Sequence, residues 1–166
     1  MTVTLRLHYP ISANVYWRSF VPKGHQRAIV TLSDAAKKYK KAAHDIALLA
    51  GVRKPIAGRV MLTIVLHPKC PQDAAKRARL QPDTWEESVQ CIDLDNALKV
   101  TIDSLKGIVM VDDNQIWRLT AERGEPVDGG AVIVTVTPIA TPSRILELPL
   151  VARDQALPEF STGEPF

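Results

Sequence analysis

Apolar and polar residues alternate with a period of two in five parts of the chain, which is the pattern of strands that bury one face. The strongest of these signals is the run 58–67. Further strands are predicted at 2–9, 28–33, 115–125 and 130–139. The last two flank the turn sequence Pro-Val-Asp-Gly-Gly, so we expect them to pair directly as a β-hairpin.

Apolar residues repeat with the helical period in two longer segments. The first helix is predicted over 34–50, after Ser33, a residue type that favours the N-cap position. The second is predicted over 94–106, before Gly107, which stands where a left-handed C-terminal cap belongs. A short third helix is predicted at 72–80. The apolar stripe of the second helix, which we expect to face the core, consists of Leu94, Leu98, Ile102 and Leu105.

Other segments lack a clear period. Residues 12–27 are predicted to form a long basic loop, and 68–90 an irregular excursion that is basic first and acidic later. The short apolar run 108–111 is predicted to return along the second long helix. The proline-rich end, 141–166, is expected to be a loosely ordered tail. A chain of 166 residues is long enough for one domain with its own core, which we place at 1–140.

Charge is unevenly distributed along the chain. Residues 1–60 hold eleven lysines and arginines against two acids, a net charge of +9. Residues 61–166 hold ten against sixteen, a net charge of −6. The first part suits a polyanion such as nucleic acid, and the second suits a cation. Charge alone favours the simpler interpretation, in which both sets are solvated surface.

Several classes of protein are not indicated. No run of about 18 apolar residues predicts a membrane span, so no membrane partner is expected. The N-terminus lacks the basic and apolar regions of a signal peptide, so we expect a cytoplasmic protein. The spacing of cysteines and histidines does not match a zinc site. The glycine motifs that bind nucleotide phosphates are missing, so no nucleotide cofactor is expected.

Five aspartates fall within the window 91–115. Each has a structural explanation on its own, as an acceptor at a helix N-terminus or as a turn residue. Together they form a cluster of like charges, which is unfavourable unless a cation removes the repulsion. Mg²⁺ prefers such oxygen ligands, together with phosphate oxygens. Asp93 and Asp95 share one end of the helix, and Asp113 joins them if 108–111 runs back along it.

Lys99 stands one helical turn after Asp95 and one turn before Asp103. This spacing predicts one of two arrangements. The first is a ladder of surface ion pairs, each worth under about 0.5 kcal/mol. The second is a lysine that pairs with the charge developing on a phosphate. The residues thus indicate magnesium-dependent hydrolysis of phosphodiesters, and we leave Asp103 and Asp112 out of the metal site.

One specific motif resembles the RusA family of Holliday junction resolvases. It has the form D-L-D-N-x-x-K-x-x-x-D-x-L-x-G at 93–107, followed by D-D-x-Q at 112–115. Two weaker matches, at 10–18 and 33–40, support the resemblance. The matches together span roughly 3–138, so the resemblance applies to most of the chain.

The resemblance implies an α+β fold, a small mixed β-sheet with packed helices. It also implies a homodimer that cleaves four-way DNA junctions with Mg²⁺, or with Mn²⁺ in its place. Carried over by position, Asp93, Asp95 and Asp113 are the metal-binding catalytic carboxylates, and Lys99 is the catalytic lysine. A two-fold dimer suits a junction that needs two symmetric cuts. The excursion 68–90 is longer than the short basic link that the family usually has here.

Contacts with DNA are expected from polar and basic residues of the long loop and of the excursion. These residues are Asn14, Arg18, Lys23, Arg27, Lys69, Lys76, Arg77 and Arg79. An exposed, solvated loop is the alternative for the residues of the excursion. The aromatic residues Tyr16 and Trp17 are assigned to the core.

The expected function is paired symmetric cleavage of Holliday junctions in DNA recombination and repair. Two alternatives stay open: a junction-binding protein that has lost catalysis, and a less selective nuclease that cuts flaps or other branched DNA. The complete set of three aspartates and a lysine argues against the first, because a protein that only binds does not need them.

Overall fold

The computed structural model describes residues 2–24 and 26–140. These residues form a four-stranded mixed sheet, a separate two-stranded sheet and three α-helices, so the predicted α+β class is confirmed. The strands are β1 (Val3–His8), β2 (Trp17–Phe20), β3 (Ile29–Leu32), β4 (Val60–His67), β5 (Ile116–Arg123) and β6 (Ala131–Pro138). The helices are α1 (Asp34–Leu49), α2 (Ala74–Leu80) and α3 (Leu94–Leu105). The predicted tail, 141–166, lies outside the described residues.

Strand β4 lies inside the main sheet, whose strand order is β1-β6-β4-β5. It pairs antiparallel with β6 and parallel with β5, while β1 pairs antiparallel with β6. Every second β4 side chain is fully buried, as the alternating sequence predicts. Helix α1 packs on β1 and on α3, and α3 contacts β4 and β5. The core therefore fills the space between one face of the sheet and these two helices.

Strands β5 and β6 do not pair with each other, so the predicted hairpin is wrong. Strand β4 lies between them, and the connection after β5 passes the end of β4 instead of turning tightly. The Gly124 N–H donates to the Leu66 carbonyl (2.9 Å), and the Val127 N–H donates to the Pro68 carbonyl (2.9 Å). These bonds hold the connection against the end of β4, which pairs with β5 on one side and with β6 on the other.

The segment predicted as a long basic loop contains β2, which forms an antiparallel hairpin with β3. The alternation of apolar and polar residues did not predict β2, because all four of its side chains are exposed. Tyr16, just before it, is 2% exposed and lies in the core as expected. Trp17 is 48% exposed, so its assignment to the core is wrong. The Trp17 ring instead meets the edge of Tyr16 at 5.3 Å between centroids.

Both long helices begin or end with the predicted residues. The Ser33 hydroxyl accepts a hydrogen bond from the Ala36 N–H at 3.1 Å and so caps α1. Gly107 follows α3 with a φ of 80°, in the left-handed region that favours glycine. The short helix α2 lies within the predicted range 72–80.

The buried face of α3 differs from the predicted stripe. Leu105 is fully buried, but the other three members of the stripe are only partly buried. Small residues hold several of the fully buried positions of α3, and α1, which packs on both α3 and β1, buries three alanines. Small side chains let two helices pack closely, but a helical stripe of large apolar residues does not reveal which small residues are buried. The fully buried residues of α3 that the stripe omitted are Ala97, Val100, Thr101 and Ser104.

Residues 108–111 form no strand along α3, so that prediction is wrong. The chain turns immediately after the helix, with the Gly107 N–H donating to the Met110 carbonyl at 2.7 Å. Val109 and Met110 are fully buried there. Burial of these two side chains fixes the turn beside the C-terminal end of α3.

The side chain of Gln115 ties this turn to the start of β4. Its Oε1 accepts hydrogen bonds from the N–H groups of Val111 (2.7 Å) and Asp112 (3.0 Å). Its Nε2 donates to the carbonyls of Ile56 (3.1 Å) and Gly58 (2.7 Å). Gln115 therefore fixes the position of the Asp-Asp pair relative to the sheet.

The Gln115→Ala variant is expected to unfold more easily. Removing a side chain that satisfies four backbone groups should lower the free energy of unfolding by about 1–3 kcal/mol. Urea denaturation measures the difference. Gln72→Ala is the matched control, because Gln72 is exposed and its loss should change stability little. Equal stability of the two variants would contradict the structural role of Gln115.

Candidate catalytic site

Asp93 and Asp95 lie at the N-terminal end of α3. Asp93 occupies the N-cap position, but within the described chain its carboxylate accepts no capping hydrogen bond from the helix backbone. Its one side-chain contact is with Asn96, whose Nδ2 lies 3.5 Å from Oδ2. Asp95 is exposed in the first turn. The capping role expected for Asp93 is therefore not fulfilled, and both carboxylates keep oxygen atoms free for another ligand.

Lys99 extends from α3 one turn further along. Its side chain is exposed, and no carboxylate of the described residues lies within 4.0 Å of its amino group. The ion-pair ladder with Asp95 and Asp103, which was one of the two explanations of this spacing, does not form. Among the described residues Lys99 therefore has no carboxylate partner, and it stands one helical turn after Asp95.

Asp113 lies at the opposite end of α3. Its Oδ1 is 3.1 Å from the Nζ of Lys106, the residue directly after the helix. A helix of 12 residues is about 18 Å long, so one chain does not bring Asp113 to Asp93 and Asp95. Consistently, the described residues contain no group of three or more His, Cys, Asp or Glu side chains placed to hold a metal ion.

Lys106 was not among the predicted site residues, yet it organises the second acidic end. Its amino group also lies 3.5 Å from Asp112 Oδ2. The hydrogen bond to Asp113 raises the pKa of Lys106, and the negative charges of Asp112 and Asp103 add to this effect. The signal that could have identified Lys106 is its place at the end of α3, seven residues before Asp113.

Asp112 has a structural role in the turn after α3. Its Oδ1 accepts a hydrogen bond from the Asn114 N–H at 3.2 Å and caps the short 3₁₀ turn Asp113–Gln115. Hydrogen bonding with Asp113 and with the backbone of Asn114 lowers the pKa of Asp112, and Lys106 adds to the effect. The side chains of Asp112 and Asp113 are about equally exposed, at 47% and 48%, but the Asp113 carboxylate does not cap the turn and is the one left for an outside ligand.

Two of the predicted DNA-binding residues are paired with carboxylates, and the others are exposed without such a partner in the described chain. Arg18 lies 3.4 Å from Asp34 and 5.7 Å from the centroid of the Phe20 ring. Arg77 pairs with Asp73 at 2.9 Å and donates to Ser88, so it holds the excursion together. The others are exposed with no carboxylate contact in the described chain, namely Asn14, Lys23, Arg27, Lys76 and Arg79.

Lys69 lines a cleft that leads to the start of α3. The cleft has a volume of about 660 Å³ and lies between Tyr9 and the two ends of the excursion. Its lining includes Gln90 and Ile92, the latter directly before Asp93. The Lys69 amino group lies 5.3 Å from the centroid of the Tyr9 ring. Tyr9 was not predicted to belong to the site, because 82 positions separate it from Cys91, which it contacts.

No helix in the described part of the chain is long and apolar enough to cross a membrane. A comparison with curated proteins finds no match. The sequence model of one family, described as Endodeoxyribonuclease RusA, matches residues 8–137 of the 166. The matched part contains both ends of α3, with Asp93, Asp95, Lys99 and Asp113, and most of the sheet. The chain therefore belongs to the RusA family of endodeoxyribonucleases.

Proposed function

We propose that this member of the family is a magnesium-dependent endonuclease that resolves four-way DNA junctions by two symmetric cuts, in DNA recombination and repair. Membership of the RusA family supplies the endodeoxyribonuclease activity and the DNA partner. The observation that carries the finer proposal is the start of α3. Two carboxylates with free oxygens, Asp93 and Asp95, stand there, and Lys99, which has no carboxylate partner among the described residues, follows one turn after Asp95.

The residues at this end of α3 fit a magnesium ion by their chemistry. Mg²⁺ takes oxygen ligands and commonly binds through one or two carboxylates, with water and phosphate oxygens completing its shell. Neither Asp93 nor Asp95 has a cationic partner within the described residues that would compete for its charge. When bound, the ion supplies a polarised water as nucleophile and stabilises the leaving oxygen.

Lys99 complements this pair of carboxylates in the proposed site. A phosphodiester gains negative charge as it is attacked, and a cation aimed at that charge stabilises the transition state more than the ground state. The Lys99 amino group is available for this, because no carboxylate of the described residues forms an ion pair with it. Its position one turn after Asp95 places it on the same side of the helix.

The separation of the carboxylates supports an active site shared between two copies of the chain. Two α3 helices that run antiparallel around a two-fold axis would bring the partner subunit's Asp113 to Asp93 and Asp95. The same axis would create two equal sites, as paired cuts require. The ion pair with Lys106 would then hold each Asp113 carboxylate in place for the neighbouring site.

The β2–β3 hairpin gives such a dimer an apolar surface to bury. Trp17 is 48% exposed and Val30 64% exposed, and Phe20 and Ile29 are exposed to a similar degree. Isolated two-stranded hairpins are marginal in water, and clustered exposed apolar side chains commonly mark protein contacts. A homodimer contact through this hairpin would stabilise both the hairpin and the shared site.

The free basic residues suit the backbone of a junction. Lys23 and Arg27 lie on the connection of the β2–β3 hairpin, while Lys76 and Arg79 lie on α2. Contacts with phosphates hold the DNA in register without reading its sequence. Arg18 and Arg77 would contribute less to DNA binding, because each already has a carboxylate partner.

The Asp93→Asn variant should lose cleavage and keep binding. We expect the rate of junction cleavage in Mg²⁺ to fall by more than about 100-fold, since even residues that only support a metal ligand are worth roughly 10–100-fold. Junction binding in EDTA should stay close to that of the wild type. Gel assays with a four-way junction, a duplex and a flap at one salt concentration measure both properties.

Asp83→Asn is the charge-matched control, because Asp83 is exposed on the excursion. Its rate should equal that of the wild type. Cleavage by Asp93→Asn at the wild-type rate would contradict the metal assignment. Wild-type binding without cleavage in Mg²⁺ or Mn²⁺ would instead indicate a protein that only binds junctions.

Replacing Lys99 tests the proposed role of its charge. Lys99→Gln should reduce the single-turnover rate by about 100-fold, as the loss of one group that stabilises the transition state typically does. Its affinity for the junction should change little, because one lost phosphate contact has only a modest effect. Lys54→Gln, an exposed lysine after α1, carries the same charge change. Equal rates for the two variants would contradict the role of Lys99.

A mixing experiment tests whether the site is shared. Asp93→Asn and Asp113→Asn proteins should each be inactive alone. After exchange of subunits, each mixed dimer regains one intact site, so about a quarter of the wild-type sites return, since half of the dimers are mixed. The product should be singly nicked junctions, which denaturing gels distinguish from paired cuts. Absence of rescue, with subunit exchange verified by differently tagged chains, would place the whole site within one chain.

A further inference from the structure

Tyr9 reaches across the fold from the end of β1 to the residues that precede Asp93. Its hydroxyl accepts a hydrogen bond from the Ile92 N–H at 3.0 Å. The same hydroxyl lies 3.4 Å from the Cys91 sulfur, to which it donates. One side chain therefore holds two successive residues immediately before the proposed metal ligand.

The backbone on the other side of Asp93 is also fixed. The Asp93 carbonyl accepts the first hydrogen bond of α3, from the Ala97 N–H at 3.0 Å. The Asp93 side chain receives no capping hydrogen bond within the described residues. Tyr9 and the first turn of α3 thus hold the backbone around Asp93, while its carboxylate stays available.

We infer that Tyr9 is a positioning residue for the proposed catalytic site. Its hydroxyl holds Cys91 and Ile92, the two residues before Asp93, so that the Asp93 carboxylate would face the metal in one orientation. This inference rests on the proposed function of Asp93. A shift of about 1 Å in a catalytic group can cost roughly 100-fold in rate, so one hydrogen bond at this place can matter more to rate than to stability.

The surroundings of Tyr9 hold its ring in a defined place. Gly130 packs against the ring so closely that a Cβ there would lie 2.6 Å from Tyr9 Cδ2 and 2.8 Å from Lys69 Cγ. The Lys69 amino group lies over the ring. Burial and the hydrogen bond to Cys91 raise the pKa of the Tyr9 hydroxyl, which therefore stays protonated and able to donate.

The chain offers a matched control for the loss of one tyrosine hydroxyl. Tyr39, on α1, donates its hydroxyl to the backbone carbonyl of His8 at 3.2 Å. That bond joins α1 to β1 and does not touch the residues before Asp93. Tyr9→Phe and Tyr39→Phe therefore both remove one hydroxyl group, but only the first change removes the hydrogen bonds that hold the residues before Asp93.

The test compares kcat and KM for junction cleavage in the two full-length variants. Tyr9→Phe should lower kcat by about tenfold or more, with KM within about twofold of the wild type. Tyr39→Phe should leave both constants near the wild-type values. Tyr9→Phe loses two hydrogen bonds and Tyr39→Phe loses one, so the thermal midpoint of Tyr9→Phe should be the lower of the two, with both variants folded at the assay temperature. Equal kcat values for the two variants would overturn the inference.

A second measurement separates this inference from the proposed function. The affinity of the free protein for Mn²⁺, followed by electron paramagnetic resonance, should fall in Tyr9→Phe and not in Tyr39→Phe. If the wild type cleaves no junction, the proposed function fails, and the Mn²⁺ comparison still decides the role of Tyr9. Weaker Mn²⁺ binding in Tyr9→Phe alone supports it, and equal affinity overturns it.

Discussion

Helix α3 is held between α1 and the sheet by small side chains that are fully buried, among them Ala97 and Ser104. This close packing fixes the helix along its whole length, so its two ends stand at defined places on the surface. The carboxylates lie at those ends, outside the buried stretch, where they do not have to be desolvated. The position of every proposed site residue on α3 therefore depends on a contact made by residues without chemical function.

Two side chains make contacts with residues distant in sequence and so fix the segments that precede and follow α3. Gln115 fixes the turn after α3 against the start of β4, and Tyr9 fixes the residues before α3 against the end of β1. Each satisfies backbone groups that would otherwise be left without partners, which is costly in a partly buried setting. The acidic ends of α3 are consequently built on the sheet and not on free loops, which suits the proposed site, where a metal and a phosphate would be held in one geometry.

Much of this organisation could be predicted from local pattern. Strand β4, the cap at Ser33 and the glycine after α3 follow from periodicity and backbone preference, which depend on near neighbours alone. The pairing of β5 with β4 could not be predicted, because strands that follow each other in sequence usually pair as a hairpin. Here β4, which comes earlier in the chain, lies between β5 and β6. The place of Asp113 depends on a turn fixed by buried side chains and Gln115, and the contact of Tyr9 with Cys91 spans 82 positions, so neither leaves a local signal.

The distance between the two acidic ends of α3 has a consequence for when such a protein can act. Under the proposed arrangement a single chain carries two halves of different sites, and neither half is complete. Activity then rises with the square of protein concentration while the dimer is sparse, because assembly precedes chemistry. In that arrangement, a single subunit that meets ordinary duplex DNA does not cleave it. In this proposed arrangement, assembly is the safeguard against stray breaks, and the two proposed cutting centres form together or not at all.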